Sequence, residues 1–443
     1  MAQALSGFRD RFKGQLIGPD DAEYDKARVV WNGIADRRPA LVARCTDVED
    51  VVAAVRYGRE ENLLIAVRGG GHSVAGFSTC DGGLVIDLSR MRAVLVDPVS
   101  KRARVQGGAH LSQLDQQAQE HGLVCPVGVV GHTGVAGLTL GGGMGRLQRK
   151  FGLTVDNVLR VDLVTADGEQ VSASEAENAD LFWGLRGAGA NFGVATSFEL
   201  RLHPMDGTIF QGGVAFPIER SLELAERVRE FAATHEDAGV WLGFAKEEDR
   251  PVFIFGSAHT AGIEKAQEDL RVFREAGPLM DWYGTKQYLA VQGMNDEVMG
   301  WGKRFYTKSG FFPELTDEIV TACASLTEAI PPDAELSLWC HGGAVGRVSN
   351  DAMAYTGRDA AFSCSAELLW TDPADDEARM EWGRSAIAKL KPFMTTGRYV
   401  NDVVEARTDG AEIYGKAKYE RLVALKRKYD PDNIFRLNQN IRP

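Results

Sequence analysis

Three consecutive glycines and a histidine, Gly69-Gly70-Gly71-His72, end the apolar run LLIAVR with no turn residue between them. A strand that finishes in three residues without side chains lets another chain segment or a ligand reach the backbone itself. Successive glycines also turn several N–H groups the same way, making a nest that holds an anion without a lysine. A second run, CPVGVVGHTGVAGLTLGGGMG from Cys125 to Gly145, repeats the feature. Two such runs point to one long ligand, and the chain need not be basic to bind it.

Other glycine motifs fail on spacing. GAGANFG, with Gly187, Gly189 and Gly193, has three residues where the dinucleotide motif GxGxxG needs two, and it precedes a strand rather than a helix. No GxxxxGK[ST] occurs, which excludes a phosphate-binding loop of that type. Gly71-His72-Ser73-Val74-Ala75 misses the nucleophile elbow because Ala75 stands where GxSxG needs its second glycine.

A net charge of −12 argues against a nucleic-acid partner, and 44% hydrophobic with 25% charged residues fits a globular enzyme. No apolar leader or uncharged 18-residue span is present, so the chain reads as cytoplasmic with no membrane partner. The six cysteines, at 45, 80, 125, 323, 340 and 364, are too scattered for a zinc ribbon or a disulfide scaffold, and no metal site is expected.

Strand and helix signals alternate over the first two hundred residues. PALVARC and LLIAVR flank the helical DVVAAVRYGREE, with a capping box at Thr46-Asp47-Val48-Glu49, which makes a βαβ unit. VLRVDLVTADGEQVSAS reads as a hairpin turning at Ala166-Asp167-Gly168. After Pro204 the texture changes: strands such as FQGGVAF, VWLGFAK, PVFIFGSA, ELSLWCHGGAVGRV and AAFSCSAELLW alternate with amphipathic helices, as in an antiparallel sheet covered by helices. The tail AEIYGKAKYERLVALKRKYDPDNIF reads as one helix stopped at Asp430-Pro431. The expected class is α+β.

With these elements in place, VRGGGHSVAGFSTCDGGLVIDLS and VCPVGVVGHTGVAGLTLGGGMGRLQRKFGLTVDNV resemble the PCMH-type FAD-binding domain of vanillyl-alcohol-oxidase-type flavoproteins. YERLVALKRKYDPDNIFRLNQNI is similar to the C-terminal segment of their berberine bridge enzyme-like branch. The resemblance implies a two-subdomain FAD-binding domain over 1–205, a substrate domain over 206–400, and a C-terminal segment, 401–443, that returns to the FAD domain. It implies FAD bound covalently through His72, with Arg68, Gly69, Gly70, Gly71 and Ser73 around the pyrophosphate. It assigns Cys125 as a second tether, although CPVGVVGH is one residue shorter before its histidine than the doubly tethered pattern. Gly128, Gly131, Thr133 and Gly137 would line the flavin, Asp156 and Asn157 would adjoin it, Val194 would approach the adenine, and Asn401 and Asn438 would close over the ring.

The resemblance also implies an oxidoreductase, most simply an oxidase that moves a hydride from a CH–OH or CH–NH carbon of a small molecule to FAD and then reduces O2. A dehydrogenase with another acceptor, gated near Val127, and a flavin-binding protein without turnover are the alternatives. In relatives the base often ends a YxNY or YxNE segment; here that segment is Tyr399-Val400-Asn401-Asp402, which puts a carboxylate beside a pocket-lining Tyr399. Asp402 is suited to accept a proton. Tyr306 and Lys308, alternating on one strand face, form a rival pair in which the cation would favour phenolate. His341, Arg347 and Arg358 are expected to be structural.

Overall fold

The first apolar runs form a four-stranded sheet in the computed structural model, which describes residues 2–405 and 409–443 with side chains from residue 5 onward. Leu41–Arg44 and Ile65–Arg68 lie parallel to, and on either side of, Leu84–Asp87, while Gln15–Ile17 adds an antiparallel edge. The helix joining the first pair, Val48–Glu60, is capped one residue later than expected. Asp47 accepts from the Asp50 N–H, and Thr46 instead gives its hydroxyl to the Asp50 carboxylate.

A second, antiparallel sheet orders Val94–Asp97, Arg102–Gln106, Val194–Arg201, Val158–Val164 and Gln170–Ser174, and includes the expected hairpin. The two glycine runs meet beside it. A Cβ on Gly70 would overlap the backbone N and Cα of Gly134, and one on Gly134 would overlap those of Gly70. The second run is held in place by the Leu111 N–H to Thr133 O and Val135 N–H to Ala109 O bonds, each 2.9 Å. Part of what the glycines accommodate is therefore each other. Gly137 differs: beyond its own helix, no atom of the described residues lies within 4 Å of where its Cβ would stand.

An eight-stranded sheet carries most of the chain between Thr208 and Trp370. One face packs against the helices Ser221–Thr234, Asp317–Thr327 and Asp376–Leu390, through residues such as Phe255, Leu336, Leu338, Cys364 and Leu368. The strand Ala334–Cys340 alternates, so Glu335, Ser337 and Trp339 point the other way. HGGAVGRV, expected to prolong it, instead holds a short helix, Gly343–Arg347, after Gly342 at φ +78°.

The expected tail helix is two helices, Gly410–Tyr414 and Lys416–Tyr429, separated by Gly415 at φ +75°. Its end is fixed by a fully buried ion pair, Lys426 Nζ to Asp430 Oδ2 at 2.7 Å. The same ammonium donates to Asn191 O at 2.7 Å and Phe435 O at 2.8 Å, and the Asp430 carboxylate accepts from the Ile434 and Phe435 N–H groups. All three ammonium donors are used, which is what makes so deep a charge tolerable. The clasp turns residues 437–439 back toward the glycine runs.

These contacts separate two kinds of glycine. Gly70→Ala is expected to destabilise the fold by about 3 kcal/mol or more, because rigid backbone must move. Gly137→Ala, in a helix with open space beside it, should keep or raise stability by up to about 1 kcal/mol. Urea unfolding of the two variants checks this.

Candidate functional site

A cavity of 710 Å³ opens where the glycine runs, the polar face of the eight-stranded sheet and the C-terminal segment converge. It is of the size of a small-molecule or cofactor site. Of the residues singled out from sequence, Gly69, Gly70, Gly71, His72, Ser73, Gly128, Thr133, Gly137, Tyr399, Asn401, Asp402 and Asn438 lie on its wall.

His72 stands at one end. Its ring stacks on Trp31, with centroids 4.6 Å apart and planes 14° off parallel. Its Nε2 is 2.6 Å from His132 Nδ1, and Thr133 Oγ1 is 3.3 Å from its Nδ1. The tautomers follow from the end of the chain. His132 Nε2 lies 3.1 Å from the Asp296 carbonyl, which can only accept. His132 therefore carries its proton on Nε2 and accepts at Nδ1, so His72 donates from Nε2 and keeps the Nδ1 lone pair, to which Thr133 donates. Burial, reinforced by His132 and His110, pushes His72 down to about 2. The ring is neutral at any working pH, as a nitrogen nucleophile must be.

Asp402 marks the opposite chemistry. Burial raises its carboxyl to about 7, the charge of Glu367 adds to this, and a hydrogen bond with the Ser309 hydroxyl opposes it. Its neighbour Tyr399 is committed elsewhere: the phenol oxygen accepts from the N–H groups of Gly143 and Met144, at 3.2 and 3.3 Å, and from Asn401 Nδ2 at 3.0 Å. Burial holds that phenol up at about 12. Tyr399 thus pins the second glycine run, and Asn401 continues the network to Leu138 O.

Several expected site residues lie off the wall. Arg68 turns away into the core, where it donates to Ala27 O at 2.6 Å and Val29 O at 3.1 Å and pairs with Asp87. Cys125 is fully buried among apolar residues, its thiol pushed well up by burial and by Asp115. Val127, the expected gate, shares that cluster, while Val129 and Val130 reach the cavity. The Gly131 N–H is taken by Asp296. Asp156 pairs with Arg358, and Asn157 donates to Phe151 O and Leu153 O. Val194 points into the core because its neighbours Gly193 and Ala195 take the wall face of that stretch.

Tyr306 and Lys308 do share a strand face, but it is the face turned from the cavity, where Lys308 Nζ lies 2.9 Å from both carboxylate oxygens of Glu405. The Tyr306 phenol is raised by burial and by Glu405, the reverse of the expected drift toward phenolate.

Sequence reasoning missed Trp31, His132, Arg146, Glu335 and Glu367, all of which except His132 line the cavity. A signal for the two glutamates was present. Glu335-Ser337 and Ser363-Ser365-Glu367 recur at every second position in strands whose alternate residues are apolar, the pattern of a sheet face that meets a polar space.

Comparison with known proteins places this geometry. The family described as FAD binding domain matches residues 39–174, and the one described as berberine and berberine like matches 399–442. Among curated proteins, (R)-6-hydroxynicotine oxidase of Paenarthrobacter nicotinovorans is 33% identical over 97% of each chain. Glucooligosaccharide oxidase of Sarocladium strictum is 30% identical over 94% of this chain and 90% of its own. The crystal structure of 6-hydroxy-D-nicotine oxidase from Arthrobacter nicotinovorans superposes with a TM-score of 0.87 at 30% identity, covering 98% of both chains.

The burial of Cys125 and the other five cysteines has a direct check. Native protein treated with iodoacetamide is expected to show no modified cysteine by mass spectrometry, with all six reacting after denaturation. Native labelling of Cys125 would show that its thiol faces the cavity.

Proposed function

Because the chain belongs to the berberine bridge enzyme-like family of FAD-linked oxidoreductases, we propose that it is an oxidase of a CH–OH or CH–NH carbon in a small organic substrate, with FAD attached through His72 alone and O2 as electron acceptor. The observation that carries this reading is that one cavity is lined both by a neutral histidine whose Nδ1 lone pair is free of a proton and by a buried carboxyl raised to about 7. The oxidase names of the relatives support it.

The residues present suit FAD. Gly137 leaves its part of the wall open, and Gly69, Gly70, Gly71 and residues 437–439 also line the cavity. Arg68 being occupied, backbone N–H groups are left to meet the phosphates, as an anion nest does. When bound, FAD supplies the hydride acceptor and the route of two electrons to oxygen.

The protein's part is proton handling and orientation. Asp402 takes the proton of the substrate hydroxyl or amine as the neighbouring C–H is broken, so substrate loses two electrons and two protons, and oxygen gains the same to become hydrogen peroxide. Ser309 holds the carboxylate by hydrogen bonding. Tyr399 and Asn401 keep the Gly143-Met144 backbone in place.

Four outcomes are expected. Flavin should stay with the acid-precipitated polypeptide in wild type and in Cys125→Ala, and pass to the supernatant in His72→Ala. Asp402→Asn should keep its flavin yet slow anaerobic flavin reduction by about a hundredfold, the scale of a lost general base. In the wild type, reduction should quicken as pH rises through about 7 and then level off, because the raised carboxyl must lose its proton before it can accept one. Hydrogen peroxide should match substrate consumed; reduced flavin that persists in air would instead make the protein a dehydrogenase.

A further inference from the structure

Glu335 and Glu367 are direct partners on the antiparallel strands Ala334–Cys340 and Phe362–Trp370, so both side chains leave the sheet on the cavity side. Like charges placed directly opposite one another on a sheet disfavour the fold. Burial makes it worse: Glu335 is raised to about 8, with Glu367 adding to the effect, and Glu367 is raised by burial as well. Asp402 joins them, also feeling Glu367.

Among the described residues nothing basic relieves this: no lysine or arginine there is among the charges acting on any of the three, and none of them has an ion pair. Arg146, on the same cavity wall, bonds Gln292 Oε1 at 3.3 Å and faces Asp115, and Lys286 gives its ammonium to Gln211 at 2.8 Å. Glu367 accepts from Ser365 Oγ at 2.7 Å, while the Glu335 carboxylate, lying over the bare backbone of Gly243, has no side-chain donor among the described residues.

A separate feature of the same wall also lacks its partner. Ser363, only 4% exposed and on the cavity, has a hydroxyl with no hydrogen-bond partner among the described residues. Its cross-strand neighbour Trp339 stacks with Trp241, centroids 5.7 Å apart and planes 27° off parallel. Aromatic faces attract cations and leave anions unsolvated.

We infer that Glu335 and Glu367 hold the protonated nitrogen of a cationic organic substrate against the Trp241 and Trp339 rings, which makes this oxidase selective for amines or basic nitrogen heterocycles. An ammonium brings the missing positive charge and N–H donors at once. A neutral alcohol offers hydrogen bonds but leaves the pair to relieve its repulsion by keeping a proton on Glu335, whereas an ammonium lets both ionise, and an anion adds a further like charge. The inference rests on the proposed oxidase reading for its substrate, but the binding site itself does not depend on turnover.

The test uses benzylamine, benzyl alcohol and phenylacetate as probes, titrated near neutral pH and followed by flavin absorbance and by tryptophan fluorescence. Benzylamine should bind about tenfold or more tightly than benzyl alcohol, with phenylacetate weakest, and Glu335→Gln should remove that advantage while leaving benzyl alcohol unaffected. Glu367→Gln is the second arm, and since each variant relieves a like-charge pair, neither should melt below wild type. Equal affinity for amine and alcohol, or an undiminished amine affinity in both variants, overturns the inference. A protein without flavin would defeat the oxidase reading while the fluorescence titration still decides the cation site. A flavin oxidase that binds the alcohol as well as the amine would do the opposite.

Discussion

The backbone contact between Gly70 and Gly134 is the join on which the site depends. It brings the end of a parallel strand against a loop some sixty positions away, and the side chains that flank each glycine are carried along with it. His72 comes two residues after one partner, and His132 and Thr133 immediately precede the other, so the histidine pair and the threonine contact are consequences of a contact in which no side chain takes part. Any side chain at the join would push those groups apart. The proposed chemistry at His72 rests on atoms that are absent.

Burial then does different work at two points of the cavity lining. At His72 it removes a positive charge and leaves a lone pair; at Asp402 it makes a carboxylate costly and so a better proton acceptor. The same low dielectric sharpens the repulsion between Glu335 and Glu367. One enclosed volume thus favours a neutral nucleophile, a poised proton acceptor and an unmet negative potential, and each arises from position rather than from an unusual residue type.

Much of this was legible from residue order. The glycine runs, His72 and the Tyr399-to-Asp402 segment declare themselves because a missing side chain or a carboxylate in a known slot is a local fact. So did most strands of the large sheet, whose apolar alternation is strong. What stayed hidden depends on long-range partners. Arg68 beside three glycines looks like a phosphate ligand until Asp87 and two carbonyls at Ala27 and Val29 claim it. Cys125 opens a glycine run yet faces the core, and nothing local says which way the chain turns there. Tyr306 and Lys308 were correctly placed on one face of a strand, but which face meets the cavity is decided by the helices packed on the other. The tail helix broke at Gly415, a residue whose left-handed backbone serves the turn between two helices.

Lys426 couples two parts of the cavity mechanically. Its three donors reach Asn191, Asp430 and Phe435. Residues 188–190 and 437–439, on either side of that clasp, both supply cavity wall. The two wall segments are therefore pinned to a single ammonium and share one anchor. Displacing either loads the other through the same charge, so in mechanical terms the cavity has fewer independent moving parts than its number of contributing segments implies.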